Sequence, residues 1–215
     1  MDWQVLHPLN QRFMKQWLSG WRRIILYLNR NNMAHIDLMN DLPGIRGLMA
    51  FDPQAADALN GLANVLLCRE SSLIKGEREM IATYVSALND CLFCQSVHGA
   101  VASAHLEDTD GYLIKQVKSN FAEAPVSAKM KALLGIAGRI QRGGKMVAHR
   151  QILDAIAEGA TDQEIHDTVL IAAAFCMFNR YVDGLGTWAP EDQQIYKDRA
   201  PGIVEGGYTR PGQNP

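Results

Sequence analysis

Apolar residues recur at three- and four-residue spacing along almost the whole chain, and no period-two alternation between turn signals is long enough to make a strand. The pattern predicts an all-α protein in which each helix buries one stripe. With 215 residues, 47% of them hydrophobic and 20% charged, the chain can bury a substantial core, and the sequence predicts a single all-helical domain over 1–215.

Helix boundaries follow from capping and breaking residues. Gln11 to Asn29 sets Phe13, Trp17, Ile24, Ile25 and Leu28 against Arg12, Lys15, Arg22 and Arg23, and NRNN ends it. Pro43-Gly44 marks a turn. Asp52-Pro53 reads as an N-cap with proline at the first helical position, opening a helix to Cys68. Helices are expected over 75–89, from Cys91 to a loop at 107–111, and over 111–119, 127–141 and 147–158. Thr161 and Glu164 form a capping box, and the apolar run to Phe178 predicts a helix buried on nearly all sides. A short helix is expected from Pro190 to Arg199. The remainder, 201–215, contains four glycines and three prolines and predicts an extended, flexible arm.

Bulk chemistry narrows the function. The formal charge is −2 and neither sign forms a long run, so no nucleic-acid partner is expected. The strongest apolar run, Val169 to Phe178, is about half of what a membrane span requires, and the N-terminus lacks a basic segment followed by an apolar one. No membrane partner is expected, and the reading is cytoplasmic. Four cysteines are too few for a secreted disulfide scaffold, so a Cys-x-x-Cys pair in a reducing compartment points to catalysis, redox activity or metal binding. Trp17 and Trp21 with Arg22 and Arg23 read as a subunit interface.

That pair lies in EMIATYVSALNDCLFCQSVH, residues 79–98. At about 100° per residue, Cys91, Cys94 and His98 fall within roughly 60° of one helix face. Cys94 and His98, at i and i+4, are surface neighbours, so the imidazole can take the thiol proton. A helix N-terminus and a histidine both favour the reactive thiolate, and a neighbouring thiol traps a sulfenic acid as a disulfide before over-oxidation. Folding the preceding helix back across Asn89-Asp90 brings Glu79, about 15 Å from the turn, nearly level with His98, about 12 Å from it. A glutamate there orients the histidine as a third group orients a base.

The order Glu79, eleven residues, Cys91-x-x-Cys94, three residues, His98 resembles the alkylhydroperoxidase D branch of the carboxymuconolactone decarboxylase superfamily. The segment GEREMIATYVSALNDCLFCQSVHGA is most similar to its peroxidase-related subgroup, with weaker support from NRYVDGLG at 179–186. The resemblance implies an all-helical homo-oligomer, a trimer or hexamer, that reduces hydrogen peroxide or small alkyl hydroperoxides without a bound cofactor. It also implies that Cys94 meets the peroxide, Cys91 is its disulfide partner, His98 is the base and Glu79 the far end of a water-assisted relay, with an external dithiol as reductant. One departure is Phe93, where alkylhydroperoxidase D has a second histidine. The decarboxylase branch lacks the cysteine pair, which argues against lactone decarboxylation.

The competing reading is a non-catalytic oligomer that senses redox state or binds zinc through the same pair. A closed zinc site needs four ligands, and without a second Cys-x-x-Cys or His-x₃₋₅-His it would recruit Glu79 or another subunit. No resident metal is expected. Cys68 and Cys176 read as small core hydrophobes, and Asp108-Thr-Asp110 as a surface turn.

The chain also resembles itself. Shifted by 85 positions, residues 79–99 agree with 164–184 at seven of 21 positions, with Glu79 over Glu164, Cys91 over Cys176, Cys94 over Asn179 and His98 over Asp183. This predicts a redox unit over about 72–106 and a degenerate repeat over about 160–188, with Asn179 and Asp183 reused in polar contacts at a subunit interface.

Overall fold

The structure, a computed structural model, describes residues 34–208. The first predicted helix, with Trp17 and Trp21, lies outside the described residues. Within them the chain is all-α, as its periodicity predicts: α1 Ile45–Phe51, α2 Pro53–Cys68, α3 Lys75–Leu88, α4 Leu92–His105, α5 Tyr112–Asn120, α6 Ala128–Arg142, α7 His149–Ala157, α8 Asp162–Gly184 and α9 Gln193–Gly206, with one 3₁₀ turn at Gly144–Met146.

The caps read from the sequence are present. Asp52 Oδ1 accepts from the Ala55 N–H at 3.0 Å with Pro53 behind it. Thr161 and Glu164 bond reciprocally, at 3.2 Å from the Glu164 N–H to Thr161 Oγ1 and 2.9 Å from the Thr161 N–H to Glu164 Oε2. Such caps contribute about 1 kcal/mol each by satisfying N–H groups that the helix leaves unpaired.

Helix α3 is the centre of the molecule, with Arg78 through Ser86 all buried. Ile81 and Val85 pack with Leu66, Leu67, Leu133, Leu134 and Ile171 from the surrounding helices. Full burial of each aliphatic side chain is worth about 1.5–3 kcal/mol. Arg78 is 1% exposed and donates to the carbonyls of Leu66 at 3.2 Å and Arg69 at 2.6 Å. It thereby satisfies acceptors at the C-terminal end of α2.

The turn between α3 and α4 sets up the cysteine pair. The Cys91 N–H donates to Ser86 O and the Asp90 N–H to Ala87 O, both at 3.0 Å, while Asp90 sits at φ +57°. This is the Schellman arrangement, and aspartate is among the few residues that tolerate the left-handed conformation. It terminates α3, reverses the chain and leaves Cys91 as the N-cap of α4.

Three elements differ from the sequence reading. Pro43-Gly44 leads into α1, a short helix that the sequence reading does not include. The predicted repeat does not hold as a structural unit: residues 79–99 form a helical hairpin, whereas 164–184 lie in one uninterrupted helix of 23 residues. The cause is local. Asn89-Asp90 turns at a left-handed aspartate, while the aligned Ala174-Phe175 contains no breaker and Phe175 is held in the core.

The third difference is the C-terminal segment. The expected flexible arm from residue 201 is instead helical to Gly206, with Pro201 inside the helix. Burial of Tyr196 and Ala200 holds α9 against α4 and offsets the backbone bond that proline removes. Gly207, at φ +67°, ends the helix, and its N–H bonds Ile203 O at 2.8 Å. A Cβ there would lie 2.5 Å from Asn64 Oδ1, so this turn requires glycine.

Candidate functional site

The hairpin brings Glu79 and His98 together as the helical rise predicts. Glu79 Oε2 lies 2.7 Å from His98 Nδ1. The Tyr208 hydroxyl donates to Glu79 Oε1 at 2.7 Å and lies 3.0 Å from His98 Nδ1. No local sequence signal marks Tyr208, which reaches this cluster only because the Gly207 turn ends α9 over the hairpin. Its phenol stacks on the imidazole, with ring centroids 5.5 Å apart, while Phe175 packs edge-on against the histidine's ring at 4.6 Å. Burial and the Glu79 carboxylate push the Tyr208 phenol well above its ordinary range and keep it a neutral donor. With Nδ1–H facing a carboxylate, the lone pair of His98 lies on Nε2.

Cys91 and Cys94 are both buried free thiols. The Cys91 thiol donates a hydrogen bond to the Cys94 sulfur, which makes the two unequal. Cys94 is pushed down, first by that bond and further by His98 and by the Asn179 amide, against the opposing effect of burial. Cys91 is pushed up, because ionisation would remove its bond to Cys94 and burial disfavours its charge. Of the pair, Cys94 is the thiol disposed to ionise.

Asn179 and Asp183 are not spare polar residues. Asn179 is wholly buried, accepts from Asn89 Nδ2 at 2.8 Å, donates to Ser86 Oγ at 3.1 Å and turns an amide N–H toward Cys94. All these contacts lie within the chain, which corrects the expected interface role for Asn179. Asp183 lies beside Cys91; burial pushes its carboxyl up, and the neighbouring thiol opposes the shift. Cys176 lies 3.7 Å from Asn89 Nδ2, and Cys68 packs beneath the Gly207 turn.

Phe93, between the two cysteines, closes the site from the other side. Gly44, at φ +55°, passes so near that a Cβ would lie 2.2 Å from the Phe93 ring. The ring also meets Tyr196 edge-on at 6.1 Å.

Cys94 and His98 line a cavity of about 130 Å³. Its wall is mostly apolar, built from Ile45, Val97, Phe175, Phe178 and Ile203, while Cys91 does not contribute to the lining. Among the described residues no group of three or more His, Cys, Asp or Glu side chains is disposed to hold a metal ion, and no helix is long and apolar enough to cross a membrane.

The sequence model of the Carboxymuconolactone decarboxylase family matches residues 53–110, the span from α2 through the cysteine pair to the end of α4. No curated protein matches the chain significantly. Among solved structures, the chain is similar to an alkylhydroperoxidase AhpD core described as an uncharacterized peroxidase-related protein from Ralstonia eutropha JMP134, at 25% identity over 73% of this chain and 82% of that one, with a TM-score of 0.66. An uncharacterized peroxidase-related protein from Silicibacter sp. TM1040 shares the fold at 24% identity over 92% and 93% of the two chains, with a TM-score of 0.64. A protein of unknown function from Agrobacterium tumefaciens, provisionally described as an antioxidant-defence protein AhpD, shares it at 21% identity over 74% and 100%, with a TM-score of 0.60. The family match spans the hairpin that carries Glu79, Cys91, Cys94 and His98, and the solved structures similar to the chain share its all-helical fold, one of them an alkylhydroperoxidase AhpD core.

Proposed function

We propose that this protein is a cysteine-based peroxidase that reduces hydrogen peroxide or small organic hydroperoxides through a Cys91–Cys94 thiol/disulfide cycle. The observation that carries the reading is the position of Cys94: it is the member of the pair held below its ordinary thiol range, and it lines the cavity beside His98. A redox sensor or a zinc site has no need of an apolar cavity ending on one thiol. The family match over the cysteine-bearing hairpin supports the same choice.

His98 Nε2 takes the Cys94 proton, directly or through one water, while Glu79 and Tyr208 fix the ring from the far side. The Cys94 thiolate attacks the terminal oxygen of ROOH. The S–O bond forms, the O–O bond breaks, and the leaving RO⁻ takes the proton from His98 to become ROH. Sulfur has lost two electrons and is now a sulfenic acid. Cys91 attacks the Cys94 sulfur, the S–S bond forms, and the departing hydroxide leaves as water with the Cys91 proton, for which Asp183 is the adjacent acceptor. An external dithiol then reduces the disulfide and is itself oxidised to a disulfide. Because Cys91 is fully buried and Cys94 lines the cavity, the dithiol attacks Cys94, through the opening that admits the peroxide.

The test is steady-state consumption of peroxide with a panel of small dithiols and dithiol proteins. The parent is expected to turn over with at least one of them and Cys94→Ser with none. Equal turnover by both proteins overturns the reading.

A further inference from the structure

The cavity is not uniformly apolar. Its deep end is formed by buried groups, Cys94, Phe175 and Phe178, and its rim by partly or fully exposed ones, among them Arg46 of α1 and Arg199 of α9. Two arginines, one from α1 and one from α9, therefore line the more exposed part of the cavity. Neither is ion-paired among the described residues, and neither side chain has a hydrogen-bond acceptor there. The two charges are near each other: Arg199 is pushed down by burial and by the nearby Arg46 charge. Like charges held together at the mouth of a cavity are complementary to an anion that neutralises both. A planar guanidinium fork fits a carboxylate in particular.

From this geometry we infer that the substrate is an organic hydroperoxide carrying a carboxylate, with the carboxylate on Arg46 and Arg199 and the peroxide group at Cys94. The inference rests on the peroxidase reading of the site and adds the substrate class to it. The cavity volume sets the length. About 150 Å³ of apolar space accepts one benzene, so the 130 Å³ here holds a body of about six carbons. The chemistry at Cys94 is as described above: the O–O bond breaks, the substrate leaves as the corresponding hydroxy acid, and two electrons come from the sulfur and finally from the dithiol. The apolar wall rewards the carbon chain, and the arginine pair fixes which end faces out.

Two measurements test the inference. In the first, the reduced protein is mixed with 6-hydroperoxyhexanoate or with hexyl hydroperoxide, and single-turnover oxidation is followed without any reductant. The carboxylate is expected to raise the rate constant by about 10- to 100-fold at low salt. That preference should fall about tenfold in Arg46→Gln and in Arg199→Gln, and less in Arg199→Lys, as a carboxylate-binding pair requires. A preference for the neutral peroxide, or one that survives both glutamine variants, overturns it. In the second, binding of unreactive hexanoate to Cys94→Ser is measured by calorimetry, with and without Arg46→Gln and Arg199→Gln. If hexanoate binds and the arginine variants abolish binding while neither peroxide oxidises the parent, the anion site stands and the peroxidase reading fails. If both peroxides react equally and hexanoate does not bind, the peroxidase reading stands and the anion site fails.

Discussion

Tyr208→Phe removes one oxygen from the site and leaves the stacked ring in place. The hydroxyl donates to a carboxylate oxygen of Glu79, whose side chain is 2% exposed, so the lost bond is one to a buried charge. Such bonds contribute about 1.5–3 kcal/mol, which corresponds to roughly 10- to 150-fold in rate if the whole effect falls on the reaction. Glu79 Oε2 retains His98 Nδ1 at 2.7 Å, so the loss should lie at the lower end, about tenfold. The assay is stopped-flow oxidation of Cys94 by hydrogen peroxide, with circular dichroism as a check on folding. If Tyr208 acts through the carboxylate, its effect disappears when the carboxylate is gone: Tyr208→Phe with Glu79→Gln should be no more than about twofold slower than Glu79→Gln alone. A Tyr208→Phe rate equal to the parent, or losses that simply multiply, would refute the reasoning.

His98→Ala should slow single-turnover oxidation by about 10²- to 10⁴-fold, the scale of general acid–base help, and an unchanged rate removes His98 from the mechanism. Because Cys94 is held below its ordinary value, first by the bond from Cys91, thiolate reactivity should persist below the usual thiol range and decline as pH falls through the depressed value. The sign agrees with linkage: the stabilisation from a lowered pKa is fully present above the ordinary thiol value of about 8.5 and fades through the folded one. Cys91→Ala removes the donated bond and should move the acid limb of the pH–rate profile to higher pH, whereas a limb that stays in place contradicts the attribution. Asn179→Leu leaves the Ser86 hydroxyl without its partner and the Asn89 Nδ2 with only its long contact to Cys176, and should lower unfolding stability by about 1–3 kcal/mol, read from the denaturant midpoint.

Local chemistry was legible in the sequence wherever cause and effect lie within one hairpin. Helical rise alone brings Glu79 level with His98, and Asn89-Asp90 marks the turn that puts Cys91 at the head of α4. Tyr208 and the two arginines were not legible, because their partners are set by packing across the chain. Tyr208 meets Glu79 from 129 residues away, and its neighbours, Gly206 and Gly207, have the composition of a loose arm while acting as a helix terminus. Arg46 and Arg199 come near each other only because α1 and α9 border the same cavity. Asn179 is an intermediate case. The self-alignment pairs it with Cys94, yet the two segments are not copies in space; Asn179 matters because α8 packs along the hairpin and presents it to Cys94.

Thiol mapping after a single oxidising equivalent tests the central claim most directly. The fully reduced protein is treated with one equivalent of hydrogen peroxide, and its four cysteines are assigned by alkylation and mass spectrometry. The expected product contains a Cys91–Cys94 disulfide with Cys68 and Cys176 still free, and Cys91→Ser should stop at a sulfenic acid on Cys94 that a dione reagent captures. An unoxidised Cys94, or a sulfenic acid on Cys91 in Cys94→Ser formed as fast as the parent reacts, would contradict it.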